Sequence, residues 1–288
     1  MAPDRLTLAP NRRDLGGGFT VRRVLPAAAR QAVGPFLFFD HFGPIEAAPD
    51  DNHDVRPHPH IGLATVTSLF EGAMMHRDST GAVATIEPGA VNWMTAGEGV
   101  CHTERSHPDD LGQVGEHHGL QLWVALPDDA QDGPASFQHV DASAIGTEAH
   151  GDATVRVVAG TAYGIESPVA VSSPLVLAEL HLGDGAAVPV DDTHPERAVL
   201  ALDADAWVDD HRIPAGTLAV LAEGSTPRLR GSGRAVLVGG EPVGERHIWW
   251  NFVHRDRDRI EAAKRDWQAQ RFPLVPDDHD PWVPLPSG

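Results

Sequence analysis

Two short stretches carry side chains able to hold a metal ion. "RPHPHIG" sets His58 and His60 two residues apart, and "VCHTERS" sets His102 and Glu104 two residues apart. In an extended strand, side chains i and i+2 point to one face, about 6.5–7 Å apart along the chain. Each pair therefore shares a face, and Cys101 lies on the opposite face, where a small buried hydrophobe is its simplest role. Pro59 biases His58 toward extended backbone. It also removes one N–H from any sheet ladder, which makes this stretch an edge strand or a strand start. A single H-x-H pair in a chain with 17 histidines is weak evidence. A second pair changes its weight. A barrel that brings both together would offer three imidazoles and one carboxylate. That set suits Fe(II), Mn(II), Ni(II) or Co(II) better than structural zinc, which prefers four closed ligands, often thiolates. On an octahedral ion it leaves open positions for water, dioxygen or substrate, and its net positive charge welcomes an anionic oxygen donor. A β-barrel whose histidines bind nothing is the alternative at this point.

The elements that must position these pairs read as mostly β. Short apolar runs recur between turn residues, in a chain of 288 residues with 29 glycines, 24 prolines and 41% hydrophobic content. "FTVRRVL" and "GPFLFFDHFGP" read as strands, the second fully buried. "LATVTSLF", "AMMHRD", "AVATIE", "VNWMT", "VCHTERS" and "GLQLWVALP" form a meander with the spacing of a barrel or sandwich. "PDDAQDGPASFQ" and the polar stretch to residue 152 read as a linker. A second β series follows, and "IPAGTLAVLAEG" echoes "IEPGAVNWMTAGEG", so the two halves look like copies of one unit. Near the end, "DRDRIEAAKRDWQAQ" places Ile260, Ala263 and Trp267 on one helical face. The Pro-rich tail "FPLVPDDHDPWVPLP" is extended.

Composition narrows the function classes. The net charge of −19 disfavours direct nucleic-acid binding. All but one of the 22 basic residues are arginine, a coding bias rather than a functional signal. One cysteine rules out an internal disulfide. No secretory signal and no membrane-length apolar run stands in the sequence. A cytoplasmic protein is the expectation.

These stretches resemble the pirin family of the cupin superfamily. "PFLFFDHFGP", "HPHIGLATVTSLFEG", "HRDSTG", "PGAVNWMTAGEGVCHTE", "GLQLWVALP" and the late "WWNFV…RIEAAKRDW" match its pattern in order. The resemblance implies an all-β bicupin, two double-stranded β-helix (jelly-roll) barrels with a short C-terminal helix. Residues 1–135 would form the metal-binding barrel, and residues 136–288 a barrel without metal that ends in the helix and tail. It implies His58, His60, His102 and Glu104 as metal ligands and Gln121 as a substrate-pocket residue. The implied activity is quercetinase-like: an Fe(II)-dependent dioxygenase cleaving flavonol or enediol-like substrates, with Glu104 as the natural base. Mn, Ni, Co, Cu or Zn are other ions for such a site. Its partners would be a small aromatic substrate and O2, and the chain would be a monomer. The family also implies an alternative, a metal-containing regulatory protein that contacts transcription factors or metabolic enzymes. Many cupins carry a ligand Glu four residues after the second His; here that position is Ala64, so the carboxylate must come from Glu104.

Other candidates are weaker. His117 and His118 read as a polar loop or a pocket edge. Gln121 and Trp123 share a strand face. His76 reads as a turn histidine or a support for a ligand, and Met74 and Met75 as strand core. His41 and His53 read as loop residues without partners. His181, His194 and His211 are isolated, read as surface or loop histidines, and no metal is expected in the second half.

Overall fold

The short apolar runs between Gly and Pro turns become strands because alternate side chains find a sheet face to bury. The computed structural model describes residues 6–14, 19–47, 54–107 and 115–286. The chain forms two compact units, one of 14–21, 42–142 and 243–288, the other of 1–13, 22–41 and 143–242. Both are β-rich, as the all-β expectation requires.

The first unit carries both histidine stretches. Its four-stranded sheet runs in the order Val55–His60, Val100–Ser106, Met74–Asp78, Val83–Ile86. Val55–His60 is an edge, so the N–H that Pro59 lacks is not missed by an inner ladder. A second sheet runs Ser136–Val140, Val91–Thr95, Leu63–Glu71 and Gly115–Ala125. The sheets face each other: the His60 ring meets Trp123 edge-on at 5.3 Å, and His76 stacks on Phe137 at 4.4 Å.

The boundaries differ from a cut at residue 135. Ser136–Val140, expected in a linker, pairs antiparallel with Val91–Thr95 and closes the edge of the first unit's sheet. The C-terminal segment also belongs here. Helix Arg257–Gln268 starts at Asp256, whose side chain accepts from the Asp258 N–H at 2.9 Å. It buries Ile260, Ala263 and Trp267 against Ile61, Cys101 and Phe252. An amphipathic helix settles where its apolar stripe finds cover, whatever its distance along the chain.

Gly62 makes that return possible. Its φ is +68°, and a Cβ there would sit 1.9 Å from the Val253 carbonyl oxygen. Only glycine lets the strand Phe252–His254 pass this close to the histidine stretch. The extended tail then wraps the outer face of the four-stranded sheet. The Val283 N–H donates to the Pro57 carbonyl at 2.8 Å. Asp278 accepts from Thr103 Oγ1 at 2.8 Å and from Arg105 Nε and Nη2 at 3.0 and 2.6 Å. Thr103 and Arg105 alternate with His102 and Glu104, so the tail grips the back of the strand whose front carries His102 and Glu104.

The second unit is one sheet whose central strands are Ala153–Ala162, Leu175–Pro189, Arg228–Gly240 and Glu196–Ala201. Its interior is filled by apolar side chains such as Val155, Leu180, Val199 and Leu237. Among the described residues, the only cluster able to hold a metal lies in the first unit. His181 is exposed. His194 is not a surface residue: it is buried, and its Nε2 donates to the Thr161 carbonyl at 3.0 Å. His211 sits in a short strand with Nε2 2.9 Å from Thr7 Oγ1. No helix is long and apolar enough to cross a membrane.

Asp278→Ala removes a two-pronged carboxylate from a half-buried arginine and a buried threonine. The expected loss is about 2 kcal/mol of unfolding free energy, read as a lower urea midpoint with an unchanged slope.

Candidate metal centre

The antiparallel register of the two ligand strands sets His102 opposite His58. With His60 two residues on, three imidazoles meet on the inner face of one sheet. Their ring centroids lie 4.2 Å apart for His58–His102, and 5.1 Å apart for both His58–His60 and His60–His102. The ligating nitrogens of all three lie within 4.8 Å of one another. His60 Nε2 and His102 Nε2 approach to 3.2 Å. His60 and His102 are 1% exposed and His58 is 8% exposed.

The outer nitrogens are already engaged. His58 Nδ1 donates to the Arg56 carbonyl at 2.9 Å, and His60 Nδ1 donates to the Asn251 carbonyl at 3.2 Å. A carbonyl can only accept, so each of these rings carries its proton on Nδ1 and turns a bare Nε2 lone pair inward. This is the arrangement metal-binding histidines require. His102 has no carbonyl partner; its Nδ1 lies 3.5 Å from His76 Nδ1.

Burial keeps the rings neutral. Desolvation pulls His58 down to about 4, with the Arg56 carbonyl opposing, and holds His60 and His102 well below the ordinary histidine value. Three uncharged donors therefore converge near neutral pH without a counter-charge. A divalent cation satisfies all three at once, and the residues fit one.

Glu104 stands apart from this group of nitrogens. It lies on the same strand face as His102, opposite His76, beyond a register irregularity against the first ligand strand. Its residue surface is partly open, yet its carboxyl is closed in by protein, and desolvation pushes it up to about 7.

Gln121 and Trp123 face the cluster from the opposite sheet, since Trp123 touches His60. Gln121 pairs in register with Thr67, Thr67 with Asn92, and Asn92 with His139. Thr67 Oγ1 donates to Gln121 Oε1 at 2.8 Å, and His139 Nδ1 donates to Asn92 Oδ1 at 2.7 Å. A polar row thus crosses four neighbouring strands on the face turned to the histidines. Sequence reasoning missed Thr67, Asn92, His139 and Asn251. The first two were signalled by polar residues at inward positions of apolar strands, in "LATVTSL" and "VNWMT". Asn251 acts through its backbone and left no signal.

Several weaker candidates resolve differently from expectation. His117 and His118 are in the strand Gly115–Ala125, not a loop, and His118 is buried against Phe70. His41 is a buried strand residue that receives hydrogen bonds from Arg22, not an unpartnered loop histidine. His53 lies outside the described residues. His76 is buried in Met74–Asp78 beside His102, and Cys101 is buried on the opposite face, where desolvation pushes its thiol up to about 12.

Known proteins carry the same arrangement of domains. A family model described as Pirin matches residues 18–124, and one described as Pirin C-terminal cupin domain matches residues 177–273. A pirin-like protein of Caulobacter vibrioides is 44% identical over 98% of this chain and 99% of its own length. The pirin of Rattus norvegicus is 31% identical over 91% of both. The crystal structure of a quercetin 2,3-dioxygenase from Acinetobacter baumannii superposes with a TM-score of 0.90, at 32% identity, covering 99% of this chain and 95% of that one.

The shifted groups set the pH response of the metal-free protein. His58 falls from 6.5 in the unfolded chain to about 4, so its contribution is full above 6.5 and is lost as pH falls toward 4, by roughly 3 kcal/mol. His60 and His102 act in the same direction. Glu104 rises from 4.5 to about 7, so its contribution is full below 4.5 and is lost as pH rises through 7. Three histidines outweigh one carboxyl, and stability falls on acidification from 6.5 to 4. Glu104→Gln removes the opposing group and steepens that fall, measured as urea midpoints between pH 7 and pH 4.5.

Proposed function

The chain belongs to the pirin family, and on that footing we propose that it is an Fe(II)-dependent dioxygenase that opens flavonol or enediol-like substrates. The observation that carries this reading is the convergence of three neutral, buried imidazoles, two of them with Nδ1 committed to carbonyls, opposite a wall with both an aromatic and an amide. The dioxygenase in the superposed A. baumannii structure supports it. Neutral nitrogen donors suit a borderline divalent ion, and manganese, nickel or cobalt would be held by the same set. His58, His60 and His102 hold the ion, and Glu104 is the fourth ligand. Divalent iron in this site supplies positive charge that acidifies a substrate hydroxyl, and a redox partner for dioxygen.

The remaining work falls to the chain itself. Glu104, a carboxylate beside the positions the ion leaves open, is the base that takes a hydroxyl proton of the substrate. Gln121 has its carbonyl occupied by Thr67, so its amide N–H groups are left to orient an oxygen of the substrate. Trp123 gives a planar ring an apolar surface beside His60. The burial of the three imidazoles keeps bulk water from competing for the proton.

Anaerobic loading with Fe(II), followed by air and a flavonol, should give loss of the flavonol's visible absorbance and release of carbon monoxide. His58→Ala should lose both the ion and turnover. Glu104→Gln should keep most of the ion and lower kcat by about 10²-fold or more. Absence of turnover with any loaded ion would sink the dioxygenase reading.

A further inference from the structure

His58 and His60 each give their Nδ1 proton to a backbone carbonyl, which fixes the tautomer without ambiguity. His102 faces another imidazole instead, and an imidazole nitrogen can donate or accept. Which nitrogen of His102 carries the proton therefore depends on what holds His76. We infer that His76, held by Asp78, is a positioning residue that fixes His102 with its proton on Nδ1 and its Nε2 bare, the form a metal ion requires.

The geometry supplies each step. Asp78 is fully buried, and its Oδ2 lies 3.0 Å from His76 Nε2. Its other oxygen accepts from Thr80 N at 2.8 Å, Thr80 Oγ1 at 2.6 Å and Ala82 N at 3.3 Å. All three are donors, so the carboxylate is oriented as an acceptor on both sides. His76 Nε2 must then carry hydrogen. In the neutral ring, His76 Nδ1 is bare and points at His102 Nδ1, 3.5 Å away. A hydrogen between those two nitrogens can then come only from His102, which would leave its Nε2 lone pair facing His60 Nε2 at 3.2 Å. Phe137, stacked on the His76 ring at 4.4 Å and 13°, holds the ring so that its two nitrogens stay on their partners. The strand register sets Asp78 directly opposite His102, so this support is built into the sheet and not into a loop.

The reverse polarity would be harmful. A hydrogen on His76 Nδ1 would place the His102 proton on Nε2, inside the ring of three nitrogens, where it would exclude the ion. The role of Asp78 and Thr80 is to forbid that state. The inference rests on the metal reading of the histidine cluster, and its test separates the two.

Three variants test it: His76→Phe removes the acceptor but keeps a ring on Phe137, His76→Gln keeps a carbonyl acceptor, and Asp78→Asn can offer His76 a donor. Two-bond proton–nitrogen NMR on the metal-free protein reads the His102 tautomer, and Co(II) titration reads affinity from its visible spectrum. The wild type should show the Nδ1–H form of His102. His76→Phe and Asp78→Asn should show mixed tautomers and Co(II) binding weaker by about 10–100-fold, with His76→Gln within about threefold of wild type. An Nε2–H form in the wild type, or unchanged tautomer and affinity in both His76→Phe and Asp78→Asn, would overturn the inference. Equal losses in all three variants would assign His76 to packing alone, and overturn it as well. Should His76→Phe fail to fold, Asp78→Asn and His76→Gln decide. A wild type that takes up no Co(II) or Fe(II) but shows the stated tautomers defeats the metal reading and leaves the positioning role standing.

Discussion

Three buried imidazoles whose nitrogens converge on one point make an arrangement that proteins do not adopt without compensation. Each ring has lost hydration, and the inward nitrogens repel. The protein answers with backbone carbonyls on the far side of His58 and His60, and sets His76 behind His102. A cation at the centre then gains from all three at once. The surrounding features of this unit are best understood as means of holding that arrangement: an edge strand with a proline, a register that sets His102 against His58, and a buried carboxylate behind His76.

The C-terminal segment is part of the same solution. It supplies the carbonyl that His60 requires, through Asn251, and it binds the reverse side of the second ligand strand through Asp278. The strand between those contacts cannot shift without losing partners on both faces. The second unit shows the contrast. Its interior is packed with aliphatic side chains, and His194 there is spent on a backbone carbonyl. Two related β architectures thus hold different contents, one a packed core and the other a polar pocket.

Much of this was legible in the chain because strand periodicity is strict. H-x-H and H-x-E each force two side chains to one face, and only a sheet needed to be supposed to bring the faces together. The terminal helix was legible through its apolar stripe, Ile260, Ala263 and Trp267. The place where that stripe docks was not, because periodicity says which face is buried and nothing about what buries it. The same gap hides the strand Ser136–Val140. "SFQHV" follows a Gly- and Asp-rich stretch and looks like linker, yet its alternate residues Phe137 and His139 add to the pocket wall. Asn251 was invisible because a backbone carbonyl has no residue type. Ala64 is fully buried in Leu63–Glu71, on the opposite face from Thr65 and Thr67.

The return of the last segment also bears on synthesis. The ribosome delivers His102 nearly 150 residues before Asn251, and Asp278 later still. Until then the growing chain has the ligands but not the carbonyl that sets one of them or the carboxylate that clamps the strand. A chain stopped before Asn251 would carry His58, His60 and His102 without the contacts that set and clamp them.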